Sequence, residues 1–186
     1  MSRMLAAEVH TIVADLEPRS ERDREAQADF AAFFPDDSGP VWRESGPHHA
    51  TASCVVFDET LTHTLLVFHR KGRFWVQPGG HLEHGDASIA EAALRELREE
   101  TGIDVAAPHP PVAYDLDHHA LSARFGGCAS HLDIAIAVIA DPALALTVSH
   151  ESDDVRWWPV DALPAEVPAQ LAPRLRNLIE RLSATV

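Results

Sequence analysis

The stretch PGGHLEHGDASIAEAALRELREETGI, Pro78–Ile103, carries six carboxylates beside two arginines. Ser88 and Glu91 are spaced as in a capping box, which marks the start of a helix. Gly102 is a typical residue for ending one. We therefore predict a helix over residues 88–101. Its apolar face is expected to contain Ile89, Ala92, Ala93, Leu94 and Leu97.

Three glutamates lie close together on this predicted helix. Glu96 is three residues from Glu99 and four from Glu100, so at about 3.6 residues per turn their carboxylates project into one region. Like charges at this spacing repel each other and destabilise a helix. A hard divalent cation such as Mg²⁺ removes the conflict, because it prefers carboxylate and water oxygens. On composition alone, a solvated acidic helix face stays open as the alternative.

The loop before the helix is rich in glycine, with Gly79, Gly80 and Gly85. Glycine tolerates tight backbone bends that other residues avoid. The loop can therefore bring a backbone carbonyl close to the same cation, and Gly80 is the candidate for that carbonyl.

The same stretch resembles the Nudix box, G-x5-E-x7-R-E-U-x-E-E-x-G-U with U aliphatic. The second half matches over residues 95–103 without a break. The first half departs from the pattern: Asp86 stands in place of glutamate, and eight residues rather than seven precede Arg95. The preceding FWVQPGG resembles the strand that enters the box, and Glu83 lies where many members have glutamate. The resemblance covers residues 48–163 and leaves the N-terminal helices unaccounted for.

Members of this family are mostly Mg²⁺- or Mn²⁺-dependent pyrophosphohydrolases that act on a nucleoside diphosphate linked to another group. The resemblance implies Mg²⁺ (or Mn²⁺) as cofactor, held by the three helix glutamates with help from Gly80 and Glu83. It implies that Arg95 orients a glutamate through a salt bridge. Glu151, in a loop before the last strand, is a further candidate base or ligand. The candidate catalytic residues are Glu96, Glu99, Arg95 and Glu151.

Several alternatives stay open beside this interpretation. The sequence does not decide which glutamate is the general base, and we interpret Asp86 as a helix cap. The chain could instead be a Nudix-fold nucleotide-binding or regulatory module with weak catalysis. Isopentenyl-diphosphate isomerases share the fold, but they need a catalytic cysteine and lack the full box, so they fit poorly.

The candidates for substrate contact lie outside the helix. His81 follows two glycines in the loop, and Arg70 ends a predicted strand. His131 and Asp133 alternate along another strand and share one face of it, from which they could point into a cleft.

The histidines are also candidate zinc ligands, because imidazole suits zinc better than magnesium. The sequence has no HxxxH pair, and scattered loop histidines are usually solvated. Cys54 and Cys128 do not form a CxxC pair, which argues against a thiolate zinc knuckle.

The rest of the chain predicts an α+β fold, a Nudix-type α/β/α sandwich with a mixed sheet. We expect a single domain over 1–186, with an N-terminal helical extension (1–40), a core (48–163) and a C-terminal helix (165–185). Substrate choice is expected to depend on the extension and on a long loop at residues 108–127. Predicted strands occupy 50–57, 62–70, 73–78, 131–140 and 155–160.

The chain has a net charge of −14 and a pI of about 5.1. Such a surface repels phosphate backbones and anionic lipids, so nucleic-acid duplexes and membranes are unlikely partners. A small phosphorylated, nucleotide-like substrate would then need bridging cations. Glu8 and Asp15 interrupt any signal peptide, and no apolar run approaches the roughly 18 residues of a membrane span. We expect a cytoplasmic monomer or homodimer.

Overall fold

A mixed seven-stranded sheet forms the centre of the fold in a computed structural model that describes residues 1–110, 112–122 and 126–184. Four α-helices flank this sheet within those ranges. The helices are α1 (Ser2–Asp15), α2 (Glu21–Phe33), α3 (Ile89–Thr101) and α4 (Leu171–Ser183). The strands are β1 (His48–Phe57), β2 (His63–His69), β3 (Phe74–Val76), β4 (Gly79–His81), β5 (Tyr114–Ala120), β6 (Ser130–Ile139) and β7 (Ser152–Pro159).

Strand β1 is the centre of the sheet, whose main order is β3-β2-β1-β6-β5. It runs parallel to β6 along its whole length, from His48 opposite Ser130 to Phe57 opposite Ile139. On its other edge, the first half pairs with β4 and the end pairs with β2, both antiparallel. Strand β7 pairs with β2. Every residue of β1 after His48 is buried, as expected for a strand covered on both faces.

The two faces of the sheet pack against different helices. Alternate β1 residues such as Ala52 and Val56 lie in one core with α1, α2 and α3. Val55 and Phe57 lie in a second core with the apolar face of α4. The arrangement confirms the predicted α/β/α sandwich with a mixed sheet. No helix in the described ranges is long and apolar enough to cross a membrane.

Two segments differ from the sequence prediction. Residues 114–120, expected within a long loop, form β5. The strand was not predicted because every second residue is polar, and these polar side chains bond to other buried groups. Pro111 and residues 123–125 of that predicted loop lie outside the described residues. Gly79–His81, also expected in a loop, is the short strand β4. The division of the chain into extension, core and C-terminal helix stays a prediction.

Candidate metal and active site

Helix α3 is held against the sheet by its ends and its apolar face. The Ser88 hydroxyl accepts the Glu91 amide hydrogen at 3.0 Å, and Gly102 ends the helix in the left-handed conformation at φ 75°. Ile89 and Leu97 are fully buried below the helix. These constraints direct the predicted glutamates into a cleft that β4 and the loop after it line on the other side.

Two of the three glutamates are held in low-polarity surroundings. Glu100 is buried, and its Oε2 accepts the Gly79 amide hydrogen at 3.0 Å. The pKa of Glu100 is raised to about 8, chiefly by burial and in part by repulsion from Glu96, Glu151 and Glu99, while the Gly79 hydrogen bond opposes the shift. Burial also raises the pKa of Glu96. Such carboxylates are costly to ionise alone, and a bound divalent cation would offset that cost.

Gly80 lies directly against the Glu96 carboxylate. A Cβ atom at this position would stand 2.6 Å from Glu96 Oε1 and 2.7 Å from its carboxyl carbon. Only glycine allows the backbone of β4 to approach the acid this closely. Glu99 and Glu83 are more exposed and line the same cleft. The side-chain oxygens that line the cleft are therefore carboxylates, which suit Mg²⁺ or Mn²⁺.

Arg95 connects the acidic helix to the preceding loop. Its Nη1 donates to Glu96 at 2.9 Å and to Glu99 at 3.3 Å. Its Nη2 donates to the His81 carbonyl at 2.9 Å, and its Nε donates to Asp86 at 3.0 Å. Burial lowers the pKa of Arg95, but its hydrogen bonds to Asp86 and Glu96 and the charges of these acids outweigh burial, so the net shift of the pKa is upward. Arg95 is thus a permanently charged link between the loop and the glutamates.

Asp86 does not cap the helix, contrary to the sequence interpretation. Ser88 takes that role, while the buried Asp86 carboxylate accepts two hydrogen bonds from Arg95 and one from the Glu83 amide at 2.7 Å. The capping box is also shifted, because Glu91 accepts the amide hydrogen of Ala87 rather than that of Ser88. The short side chain of Asp86 and the extra residue therefore lie where the loop meets the helix.

Glu151 lies across the cleft from the helix, in the loop before β7. Its negative charge contributes to the raised pKa of both Glu96 and Glu100, which places it electrostatically close to them. The Arg70 amide donates to the Glu151 carbonyl at 3.0 Å and anchors this loop to the end of β2. Glu151 remains exposed and available to a ligand.

The predicted substrate contacts separate into two groups. Arg70, His81 and His131 all line one cavity that adjoins the acidic cleft, although Arg70 also bonds to Asp153 at 2.7 Å. Asp133 does not point into the cleft, so that prediction is wrong. Its buried carboxylate accepts hydrogen bonds from Thr51, Ser53, Gln77 and Arg174.

Residues near the cleft were also missed by the sequence interpretation. Arg43, in a short 3-10 turn before β1, lines both the acidic cleft and the adjoining cavity. His49 and Cys128 lie beside His81 and His131, where the sequence predicted scattered, solvated histidines. The pKa of His81 is lowered to about 4 and that of His131 to about 3, chiefly by burial and in part by neighbouring histidines. No local sequence signal predicts this group, because its histidines lie on three different strands and Cys128 lies before β6.

The fold and the cleft together define a class of protein: an α/β/α sandwich in which helix α3 presents glutamates to an acidic cleft. The family model for the NUDIX domain matches residues 47–182, and the chain belongs to the Nudix family.

Individual relatives share parts of the chain. Phosphatase NudJ from Escherichia coli K12 is 43% identical over 61 residues, which is 33% of this chain and 39% of the relative's length. The Ap4A hydrolase of C. elegans superposes with a TM-score of 0.58 at 19% identity, over 73% of this chain and 98% of that one. The NUDIX domain of Shewanella oneidensis NrtR, solved with ADP ribose, has a TM-score of 0.54 at 19% identity, over 93% and 97%. At these identities the two structural likenesses establish the fold.

Proposed function

We propose that the protein hydrolyses a phosphoanhydride bond in a nucleoside diphosphate linked to another group, with Mg²⁺ or Mn²⁺ as cofactor. The observation that carries the proposal is the convergence of Glu96, Glu99, Glu100 and Glu151 on one cleft against the backbone of Gly80. Two of these acids have raised pKa values, which fits a site built around a cation. The relatives support the substrate class, since one is named an Ap4A hydrolase and another was solved with ADP ribose.

The residues of the cleft would have different roles in the reaction. Glu96, Glu99 and Glu100 would hold the cation, with Glu83 and the Gly80 carbonyl assisting. A divalent cation bound there would neutralise the diphosphate, polarise a P–O bond and make water more acidic. Arg95 would keep Glu96 and Glu99 in place through its hydrogen bonds, without touching substrate.

Glu151 is the proposed general base. It would accept a proton from the attacking water as the new P–O bond forms and the anhydride P–O bond breaks. Both products leave with a phosphoryl group, and no other reactant is consumed. Arg43, Arg70 and His81 line the cleft and cavity where the rest of a phosphorylated substrate would lie.

A substrate panel tests the proposal. The full chain is incubated with ADP-ribose, dinucleoside polyphosphates, nucleotide sugars and dNTPs, each with and without added Mg²⁺ or Mn²⁺, and the products are resolved by chromatography. We expect cation-dependent release of two phosphorylated products from at least one class. Absence of cation-dependent turnover in every class would overturn the proposal. Nucleotide binding without turnover would instead favour the alternative, a binding or regulatory module.

Matched variants test the assignment of roles. Glu99→Gln and Glu151→Gln should each lower kcat by about 10²–10⁴-fold while the fold is kept. Asp154→Asn is the control, since it removes a nearby carboxylate that pairs with the exposed Arg156 outside the proposed machinery. Equal losses in the control would show that the effect is structural.

The cytoplasmic location, the monomeric or homodimeric state and the choice of Mg²⁺ over Mn²⁺ stay predictions from the sequence.

A further inference from the structure

A second group of metal-binding side chains lies beside the acidic cleft, on the other face of the sheet from α3. His49 is on β1, His131 is its direct partner on β6, and Cys128 lies two residues before β6 begins. His81 on β4 pairs with Thr51, which shares a strand face with His49. The register of three adjacent strands therefore brings the three histidines together, and Cys128 joins them from the segment before β6.

The geometry of the group fits a single metal ion. One ligand atom from each of the four residues lies within 4.8 Å of all the others. The three imidazole rings form a nearly equilateral triangle, with centroids 5.0 Å apart for His49 and His81 and 5.1 Å apart for the other two pairs. Zinc bonds of about 2.0–2.3 Å in a tetrahedron require only small movements from this arrangement.

The hydrogen bonding indicates which atoms are available. His49 is fully buried, and its Nδ1 lies 2.8 Å from the Gly46 carbonyl, to which it can only donate. Its Nε2 is then an acceptor, buried and without a partner among the described residues. The Nε2 atoms of His81 and His131 are likewise buried and without a partner there. A buried polar atom without a partner is destabilising, so three such atoms close together indicate a ligand.

We propose that His49, His81, His131 and Cys128 bind one Zn²⁺ ion in a tetrahedral site. Imidazole and thiolate ligands select zinc over the Mg²⁺ or Mn²⁺ expected at the glutamates. Four protein ligands leave no open position, which is the pattern of a structural zinc site rather than a catalytic one. The bond from Nδ1 of His49 to the Gly46 carbonyl fixes that ring in the way that outer partners of zinc-binding histidines do.

The site would stabilise the cleft next to it. Zinc would tie β4 to β1 and β6 through His81, the residue that follows Gly80. Because Gly80 lies against the Glu96 carboxylate, the ion would hold one wall of the acidic cleft in position. The two sites would thus be separate in ligands but joined by two consecutive residues of one strand.

Metal titration of the wild-type full chain tests the proposal. The protein is stripped with a zinc-selective chelator and titrated with Zn²⁺ or Co²⁺. We expect one equivalent to bind tightly, to raise the Tm, and, for Co²⁺, to give tetrahedral d–d bands with a thiolate-to-cobalt charge-transfer band. The glutamate site would give only weak octahedral absorption. A wild-type protein that shows neither tight one-to-one zinc binding nor the charge-transfer band would overturn the proposal, whatever its hydrolytic activity.

Variants assign the ligands. Cys128→Ser should abolish the charge-transfer band, while Cys54→Ser, which alters the other buried cysteine, should keep it. His131→Ala should weaken zinc binding by more than the roughly 100-fold attributed to outer-shell partners. The exposed His150→Ala is its control. Circular dichroism reports whether each variant folds, and if the ligand variants do not fold, the wild-type titration decides alone. A charge-transfer band that persists in folded Cys128→Ser would refute the site.

Discussion

The buried Asp86 carboxylate receives two hydrogen bonds from the Arg95 guanidinium, at 3.0 and 3.1 Å. This pair spans the point where the box departs from the family pattern. Arg95 also donates to the His81 carbonyl, so its hydrogen bonds join the loop to the helix. We predict that the shorter acid compensates for the longer spacing before Arg95.

Asp86→Asn should weaken this join. Arg95 would keep its charge and lose one anionic partner, which we expect to lower the free energy of unfolding by about 3 kcal/mol. Cation-dependent kcat should fall by about 10–100-fold, as for other residues that support metal ligands. Denaturant titration and steady-state kinetics measure the two effects. Asp104→Asn removes the exposed partner of Arg98 and should change neither.

Asp86→Glu tests whether the shorter acid compensates for the longer spacing or whether the site accepts either acid. Glutamate is the family residue, but here its extra methylene must enter a filled, buried site one residue further from Arg95. We expect it to lower stability by about 1–3 kcal/mol and not to raise activity. A variant equal to the wild type in both measurements would show that the spacing and the side chain are independent.

Gly80→Ala should damage the cleft without unfolding the protein. The added methyl would lie 2.6 Å from Glu96 Oε1, so the carboxylate must move. We expect the Mg²⁺ concentration needed for half-maximal activity to rise more than about 10-fold. Gly85→Ala, in the loop after β4 and with nothing within 4 Å of the new atom, is the matched control. Equal metal dependence in both variants would place the cation elsewhere.

Glu100 should make the metal-free protein less stable at high pH. Its folded pKa is raised from 4.5 to about 8, so its contribution is fully present below pH 4.5 and is lost as the pH rises through about 8. Without added Mg²⁺, wild-type stability should fall from pH 5 to pH 8.5 relative to Glu100→Gln, by up to several kcal/mol at about 1.4 kcal/mol per pKa unit.

Added Mg²⁺ should show in the same experiment whether Glu100 binds the cation. At pH 8 it should restore the stability of the wild type and have little effect on Glu100→Gln. Glu91→Gln on the exposed start of α3 should follow the wild type at every pH. Parallel pH curves for wild type and Glu100→Gln would mean that Glu100 ionises without cost.

The sequence predicts features that depend on neighbours along the chain. Helix α3, its end at Gly102 and its three converging glutamates follow from local periodicity and spacing, and the structure brings Glu151 to the same cleft. The Asp86–Arg95 pair does not follow, because a loop conformation decides which acid faces the guanidinium.

Contacts that depend on strand register are harder to predict from the sequence. His49 and His131 are 82 positions apart and meet only because β1 and β6 run parallel with these residues opposite each other. The prediction that Asp133 points into the cleft was wrong for a related reason. Asp133 shares a strand face with His131, as predicted, but α4 covers that face and supplies Arg174 to its carboxylate.

A buried ionic network joins the two ends of the chain to the sheet. Arg174 on α4 bonds to Asp115 at 2.7 Å and to Asp133 at 2.6 Å. Arg22 on α2 makes a bidentate contact with the same Asp115, at 2.9 and 2.8 Å. The N-terminal extension and the C-terminal helix therefore bind the same carboxylate on β5. This contact explains how α2, which lies outside the matched residues 47–182, is fixed to the edge of the sheet.

Arg174→Ala should be among the most destabilising single changes in this protein. It would leave Asp115 and Asp133 buried with a major cationic partner missing, and breaking a buried ion pair in this way costs about 3–5 kcal/mol. Denaturant titration measures the loss, and Arg176→Ala, an exposed arginine on the same helix, controls for helix propensity. A difference between the two variants below about 1 kcal/mol would mean that the network is neutral and that apolar packing of α4 alone holds the C-terminal helix on the sheet.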